Sequence, residues 1–211
     1  MNSTEFRNLL STRATVASLS IHQDLLDRLE TYFKLLAHWN ARVNLTGFAL
    51  DNPTAQAVDR LLIEPLLIVR ALNYPLGVWL DLGSGGGSPA IPIQLYKPAK
   101  LLVLVESKGR KAAFLREVAR EMRLTEVAVE VRRIESITSS HRLAGTADLV
   151  TVRAVRPSEA MFEAFRNLLR AGGQAAIIGS KVDELVVRQG FQVEPIVEFV
   201  AVNSLLMLSK R

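Results

Sequence analysis

The 211-residue sequence contains no cysteine. That excludes disulfides, thiolate metal sites and every mechanism built on a Cys nucleophile. Histidine is scarce as well: His22, His38 and His141 are the only three. None lies in an acid–base constellation. His22 and His38 fall near a helix start and a helix end, His141 falls in a loop between strands, and all three are read as capping or surface groups. No His/Asp/Glu cluster has metal-ligand spacing, so no metal is expected. No apolar run approaches the roughly 18 residues that span a bilayer. Residues 1–11 are polar and mixed, unlike a signal peptide. A cytoplasmic protein without membrane association is the expectation.

What is present describes a globular chain. Apolar residues make up 49% and charged residues 22%, enough for one full-sized domain with a real core. The net charge of +5 comes from 26 basic and 21 acidic residues and is unevenly placed. Between Lys100 and Arg123 there are seven basic residues against three acidic ones. Arg132, Arg133, Arg153 and Arg156 follow. A solvated helix face and a surface for a phosphate-rich partner both account for this, and charge alone does not choose.

Two textures divide the chain. Residues 1–76 read as a helical extension packed on the main domain, which spans 77–211. Ser20 with Gln23 resembles a capping box. Leu25, Leu26, Leu29, Tyr32, Phe33, Leu36 and Trp39 then recur at helical spacing. Asn52-Pro53 looks like a second helix start, with Pro53 at the first helical position. Residues 55–72 read as helical, bent near Pro65. From Val78 on, strands alternate with helices: strands over 78–82, 101–106, 128–132, 148–152 and 174–179, helices over 89–95, 111–122 and 159–169. Repeated βα units predict an α/β fold with a mostly parallel sheet. Residues 193–200 and 205–209 are separated by a short turn, which suits an antiparallel pair.

The most informative stretch is WLDLGSGGGSPAIPIQL, residues 79–95, where four of the five residues from Gly83 to Gly87 are glycine. Glycines between a strand and a helix allow a tight turn and close approach of a ligand to backbone, and the following helix start presents free N–H groups. A phosphate loop would need a Gly-Lys-Ser/Thr ending, but Ser88 follows the last glycine. A dinucleotide loop would need a glycine where Ser88 stands. The pattern Asp81-x-Gly83-x-Gly85-x-Gly87 looks like the loop of class I S-adenosylmethionine-dependent methyltransferases. Glu106 ends the second strand, 23 positions after Gly83, where a carboxylate can accept from both hydroxyls of a ribose. Asp81 is placed to hold the methionine amino group directly or through water. Ile134 and Glu135, after the third strand, resemble in position the residues that flank the adenine in that methyltransferase fold.

The acceptor is narrowed by further absences. Without cysteine, carbon-5 methylation of a pyrimidine lacks its usual nucleophile. The [DNS]-P-P-[YFW] signature of exocyclic amine methylation is replaced by Thr151-Val-Arg153-Ala-Val-Arg156-Pro157. Guanine N7 presents a lone pair and no proton, so no general base is required, and holding it in line with the methyl group is enough.

Several stretches together resemble the RsmG (formerly GidB) family, which methylates guanine N7 in bacterial 16S ribosomal RNA. They are Asn44-Leu-Thr46, the 79–93 segment with its Pro89-x-Ile91-Pro92, VESKGRKAAFLREV at 105–118, and Val152-Arg153-Ala154. The resemblance implies a seven-stranded methyltransferase sheet with an antiparallel last strand. It implies a protein that uses S-adenosylmethionine, leaves S-adenosylhomocysteine and acts on the small ribosomal subunit or its precursor; a monomer is the expectation. By position, it places Gly83, Gly85 and Ser88 along the cofactor and Arg153 beside both cofactor and guanine. Arg110, Lys111, Arg116 and Lys181 would meet RNA. The chain departs from the family pattern at Ser88, at Val152, and within Arg60-Leu61-Leu62-Ile63-Glu64-Pro65, where the family's histidine is missing at Leu61 and Glu64-Pro65 stands for Asp-Ser. A methyltransferase of a small molecule or protein, a non-catalytic ribosome-assembly factor and, more distantly, an NAD oxidoreductase stay open at this point.

Overall fold

The computed structural model describes residues 2–72, 75–179, 191–193 and 205–210. Strands β1 (Val78–Leu82), β2 (Leu101–Val105), β3 (Val127–Glu130), β4 (Ala147–Arg153), β5 (Leu169–Ile178), β6 (Phe191–Val193) and β7 (Leu205–Lys210) form one sheet in the order β3-β2-β1-β4-β5-β7-β6. Strands β1 to β5 pair in parallel, and β7 runs antiparallel to both β5 and β6. This is the expected α/β sheet with its antiparallel last strand. The 193–200 strand lies outside the described residues beyond Val193, and the described β6 begins earlier, at Phe191.

Both sheet faces are covered, which explains why the central strands read as unbroken apolar runs such as Leu101–Val105. Trp79, Leu102, Leu104, Leu149 and Ala176 face one core, with α1 (Ser3–Val16), α2 (Gln23–Asn40), α5 (Ala90–Tyr96) and α6 (Gly109–Glu121). Leu80, Leu82, Val103, Val150 and Ile177 face the other, under Phe162 and Phe165 of α7 (Glu159–Leu168). The period-2 alternation of β1 thus sends successive residues to different cores.

Two helix starts differ from the expectation. The capping box forms at Asn2 and Glu5, where the Asn2 side chain accepts from the Glu5 amide at 2.9 Å and Glu5 accepts from the Asn2 amide at 3.0 Å. At α2, His22 holds the cap position and no side chain caps it, so Ser20 and Gln23 form no box. Helix α3 (Ala55–Val58) starts after Thr54, whose hydroxyl accepts from the Ala57 amide at 3.2 Å, rather than at Pro53. A hydroxyl that meets an orphan helix N–H outcompetes a proline that only fits the φ angle. A π-helical turn, Asp59–Ile63, joins α3 to α4 (Glu64–Ile68), so the helix is irregular just before Pro65.

One carboxylate ties the starts of three strands together. Asp148 in β4 accepts from the amides of Gly77 and Val78 at 2.9 and 2.7 Å and from Arg170 Nε of β5 at 2.8 Å. Burial alone would raise this carboxyl, but Arg170 and the two amides outweigh it and hold it below the ordinary aspartate range. Stability from a depressed carboxyl is present above its unfolded value and lost as pH falls. Asp148→Ala is expected to lower unfolding stability by about 2 kcal/mol at pH 7, with the difference narrowing below about pH 4, measured by urea titration at each pH.

Candidate functional site

The parallel order reverses between β1 and β4, and in open α/β sheets the crevice beyond the strand ends at this point is where ligands bind. The glycine turn follows β1 here, and Arg153 ends β4. The turn is tied to the sheet from inside: the amides of Gly83 and Ser84 donate to the Val105 carbonyl at 2.8 and 3.1 Å. Gly83 has φ +76° and Gly87 φ +86°, backbone that a side chain would strain. A Cβ on Gly87 would also lie 2.9 Å from Ile91. From outside, Tyr32 of α2 donates its buried hydroxyl to the Gly86 carbonyl at 2.6 Å.

Two cavities meet at Gly83. One, of about 300 Å³, is walled by the glycine turn, by Leu36, Leu45, Thr46 and Phe48 of the helical layer, and by Arg60, Lys111 and Arg153. The other, of about 210 Å³, is lined by Gly83, Val105, Ser107, Arg132, Arg133, Ile134 and Glu135. Lys111, with Arg60 and Arg153 that share one buried carboxylate, makes the first cavity cationic, which suits an anionic or electron-rich ligand. Arg153 donates to Ser88 Oγ at 2.8 Å, to the Arg60 carbonyl at 2.6 Å and to Glu64. Arg60 reaches the same carboxylate, 2.6 Å from Glu64 Oε2. Burial lowers Arg153 to about 10, which leaves it charged at neutral pH. Ala154, on the cavity wall, holds φ +54°, a strained conformation of the kind that clusters at functional sites.

A family model described as GidB, rRNA small subunit methyltransferase G, matches residues 25–203. The chain belongs to the GidB family. It is 34% identical over 179 residues to the ribosomal RNA small subunit methyltransferase G of Halorhodospira halophila, covering 84% of this chain and 81% of that one. The namesake from Chloroflexus aggregans is 35% identical over 164 residues, 78% and 67% of the two chains. Among solved structures, a putative S-adenosylmethionine-dependent methyltransferase from Methanococcus maripaludis superposes with a TM-score of 0.57 at 14% identity, over 70% of this chain and 84% of that one. A methyltransferase of the same cofactor class from Aquifex aeolicus gives a TM-score of 0.54 at 14% identity, over 76% and 93%. The fold is that of class I methyltransferases.

Within this GidB chain, Gly83, Gly85, Ser88 and Arg153 come together on the larger cavity, and Ile134 with Glu135 on the smaller. Glu106 lies buried between the loops, its two oxygens accepting the amides of Gly85 at 2.9 Å and Lys108 at 2.8 Å. Each oxygen keeps a second lone pair for a ligand hydroxyl. Asp81 lines neither cavity. It is buried, and its carboxylate accepts from Thr151, whose hydroxyl in turn accepts from Trp79 Nε1 at 2.9 Å. Lys111 lines the cavity, whereas Arg110 and Arg116 lie exposed on α6. Lys181 lies outside the described residues. Sequence reasoning missed Arg60, legible only as the first residue of a stretch that departs from the family pattern. It also read Tyr32 as plain core. His141 is not a surface group: it is buried, with Nε2 3.0 Å from Glu130, because the chain after β3 folds back over that carboxylate. Among the described residues, no cluster of metal-ligating side chains occurs, and no helix is long and apolar enough to cross a membrane.

Burial pushes Asp81 from near 3.8 up to about 6, partly offset by the Thr151 hydrogen bond. A raised carboxyl means that folding favours the protonated form, so its stabilising effect is full below about pH 4 and lost as pH rises through about 6. Asp81→Asn, which still accepts from Thr151, is therefore expected to be about 1–3 kcal/mol more stable than the wild type at pH 8. It should show no advantage at pH 4, as read by urea unfolding at both values.

Proposed function

We propose that this chain transfers a methyl group from S-adenosylmethionine to N7 of a guanine in 16S ribosomal RNA, within the small subunit or its precursor. The observation that carries the reading is the glycine turn at the sheet's reversal point, open to a cavity walled by three cations, in a chain of the GidB family. A class I methyltransferase from Streptomyces coelicolor with the same fold, at a TM-score of 0.57 and 12% identity, was solved with S-adenosylhomocysteine.

The residues fit such a cofactor. Gly83, without a side chain, separates the two cavities and lets an extended molecule pass close to backbone. Ile134 and Glu135 would flank the adenine, and Glu106 would accept from the ribose hydroxyls. Asp81 would meet the methionine amino group through water or Thr151, since its carboxylate is buried. S-adenosylmethionine supplies a methyl group on a sulfonium. Arg153 and Arg60 would hold the guanine edge at the cavity wall, where arginine suits the guanine O6 acceptor. No residue needs to remove a proton from N7, so the protein's work is alignment and exclusion of water. Arg110, Lys111 and Arg116 would hold the RNA backbone through a salt-sensitive electrostatic contact, with Lys181 a further candidate for the same role. The protein would act in the cytoplasm, as a monomer.

Methyl transfer from labelled S-adenosylmethionine is to be measured on naked 16S rRNA, on 30S subunits lacking the modification, and on tRNA. Label is expected in 7-methylguanosine from rRNA or subunits and not from tRNA. Cofactor binding without label on any RNA would sink the reading and leave a small-molecule acceptor or an assembly role. Arg153→Lys keeps the charge and loses the planar fork, and is expected to lower kcat about a hundredfold. Replacing Arg110, Lys111 and Arg116 together by Ala should raise KM for the RNA about tenfold at 0.15 M salt and flatten its salt dependence.

A further inference from the structure

The helix that carries Arg60 and Glu64 contains a defect. Pro65 has no N–H, so it cannot donate to the carbonyl of Leu61 four residues back or of Arg60 five residues back. The turn before it is already widened, with the Glu64 amide donating to the Asp59 carbonyl. Both carbonyls are met from elsewhere in the chain. Ser88 Oγ, from the end of the glycine turn, donates to the Leu61 carbonyl at 2.8 Å, and Arg153 Nη2, from the end of β4, donates to the Arg60 carbonyl at 2.6 Å. The same Ser88 oxygen accepts from Arg153 Nη1 at 2.8 Å. The Ser88 hydroxyl and the turn that ends at Glu64-Pro65 thus meet across the Leu61 carbonyl.

We propose that Ser88 is a positioning residue whose hydroxyl, with the Arg153 guanidinium, replaces the amide hydrogen that Pro65 lacks and so fixes Arg153 on the cavity wall. The hydroxyl has one proton and two lone pairs, and both bonds use them in the required sense: it donates to Leu61 and accepts from Arg153. Arg153 has Nη1 on Ser88 and Nη2 on the Arg60 carbonyl and Glu64, so its plane is set by groups on two different segments. The pocket residue is thereby coupled to the main-chain vacancy of a helix. The consequence for methyl transfer rests on the function proposed above; the coupling between Ser88 and Pro65 does not.

The test is a double-substitution cycle with Ser88→Ala, Pro65→Ala and their combination, together with Ser88→Thr. Ser88→Ala is expected to lower Tm by about 5 °C, since it strands the Leu61 carbonyl. In the Pro65→Ala background the same change should cost less than half as much, because residue 65 then supplies the missing amide. With rRNA as substrate, Ser88→Ala should lower kcat about tenfold with KM for S-adenosylmethionine unchanged. That loss should persist in the double variant, where Arg153 Nη1 still lacks its acceptor, and Ser88→Thr should restore it. Additive Tm changes would overturn the coupling. A kcat that recovers along with Tm in the double variant would overturn the positioning role. A wild type that transfers no methyl group would overturn the functional reading instead, while the thermal cycle, which needs no substrate, still decides the coupling.

Discussion

The pairing of Arg153 with Glu64 fixes the helical layer to the sheet at the point where the cavity opens. Both side chains are nearly hidden, at 10% and 2% exposure. Taking two such charges out of water is costly, and the pair holds only because each finds further partners. Glu64 also receives Arg60, and Arg153 also meets a serine hydroxyl and a main-chain carbonyl. Removing Glu64 would leave Arg153 buried without its carboxylate, at about 3–5 kcal/mol, whereas removing Arg153 would leave Glu64 with Arg60 alone. The relative placement of α3–α4, the glycine turn and the end of β4 therefore rests on one charged cluster, not on apolar packing alone.

The glycine turn is held from two sides by groups of different kinds. Inside, the Val105 carbonyl and the Glu106 carboxylate take its amides. Outside, Tyr32 takes a carbonyl, and Leu36 and Leu45 leave so little room that a Cβ on Gly86 would sit 3.2 Å from Leu36. Glycine loses more chain freedom on ordering than any other residue. Partners on both faces offset that loss and leave the strip between the two cavities bare of side chains.

The strands and the glycine turn were legible because their signals are local: an apolar run of five residues at 101–105, a glycine cluster between a strand and a helix, a carboxylate at a strand end. Helix starts were less legible, since Ser20, Pro53 and Thr54 all suit a helix start in isolation, and only the structure shows that it is Thr54 whose hydroxyl meets a backbone amide. His141 looked like a surface residue because nothing near it in sequence announces that Glu130, eleven positions earlier, would fold under it. The cluster around Glu64 was invisible for the same reason at longer range, as Arg153 is 89 positions away. Arg60 was noticed only as part of a stretch that departs from a pattern at Leu61 and Glu64-Pro65, and its physical relation to Ser88 needed three dimensions.

The place of β7 between β5 and β6 has a consequence for the order in which the sheet can close. Strand β6 has β7 as its only described neighbour, and β7 is made after it. During synthesis, β6 emerges with nothing to pair to, and β5 keeps an open edge of unpaired amides and carbonyls until Leu205–Lys210 arrives. That segment also carries Lys210, whose ammonium caps the carbonyls of Arg166 and Leu169 at 2.7 Å each and so finishes α7. The sheet is therefore closed like a zip from its final teeth: the nascent chain can assemble β1 to β5 in order, but the aggregation-prone edge stays uncovered until the last strand clears the ribosome.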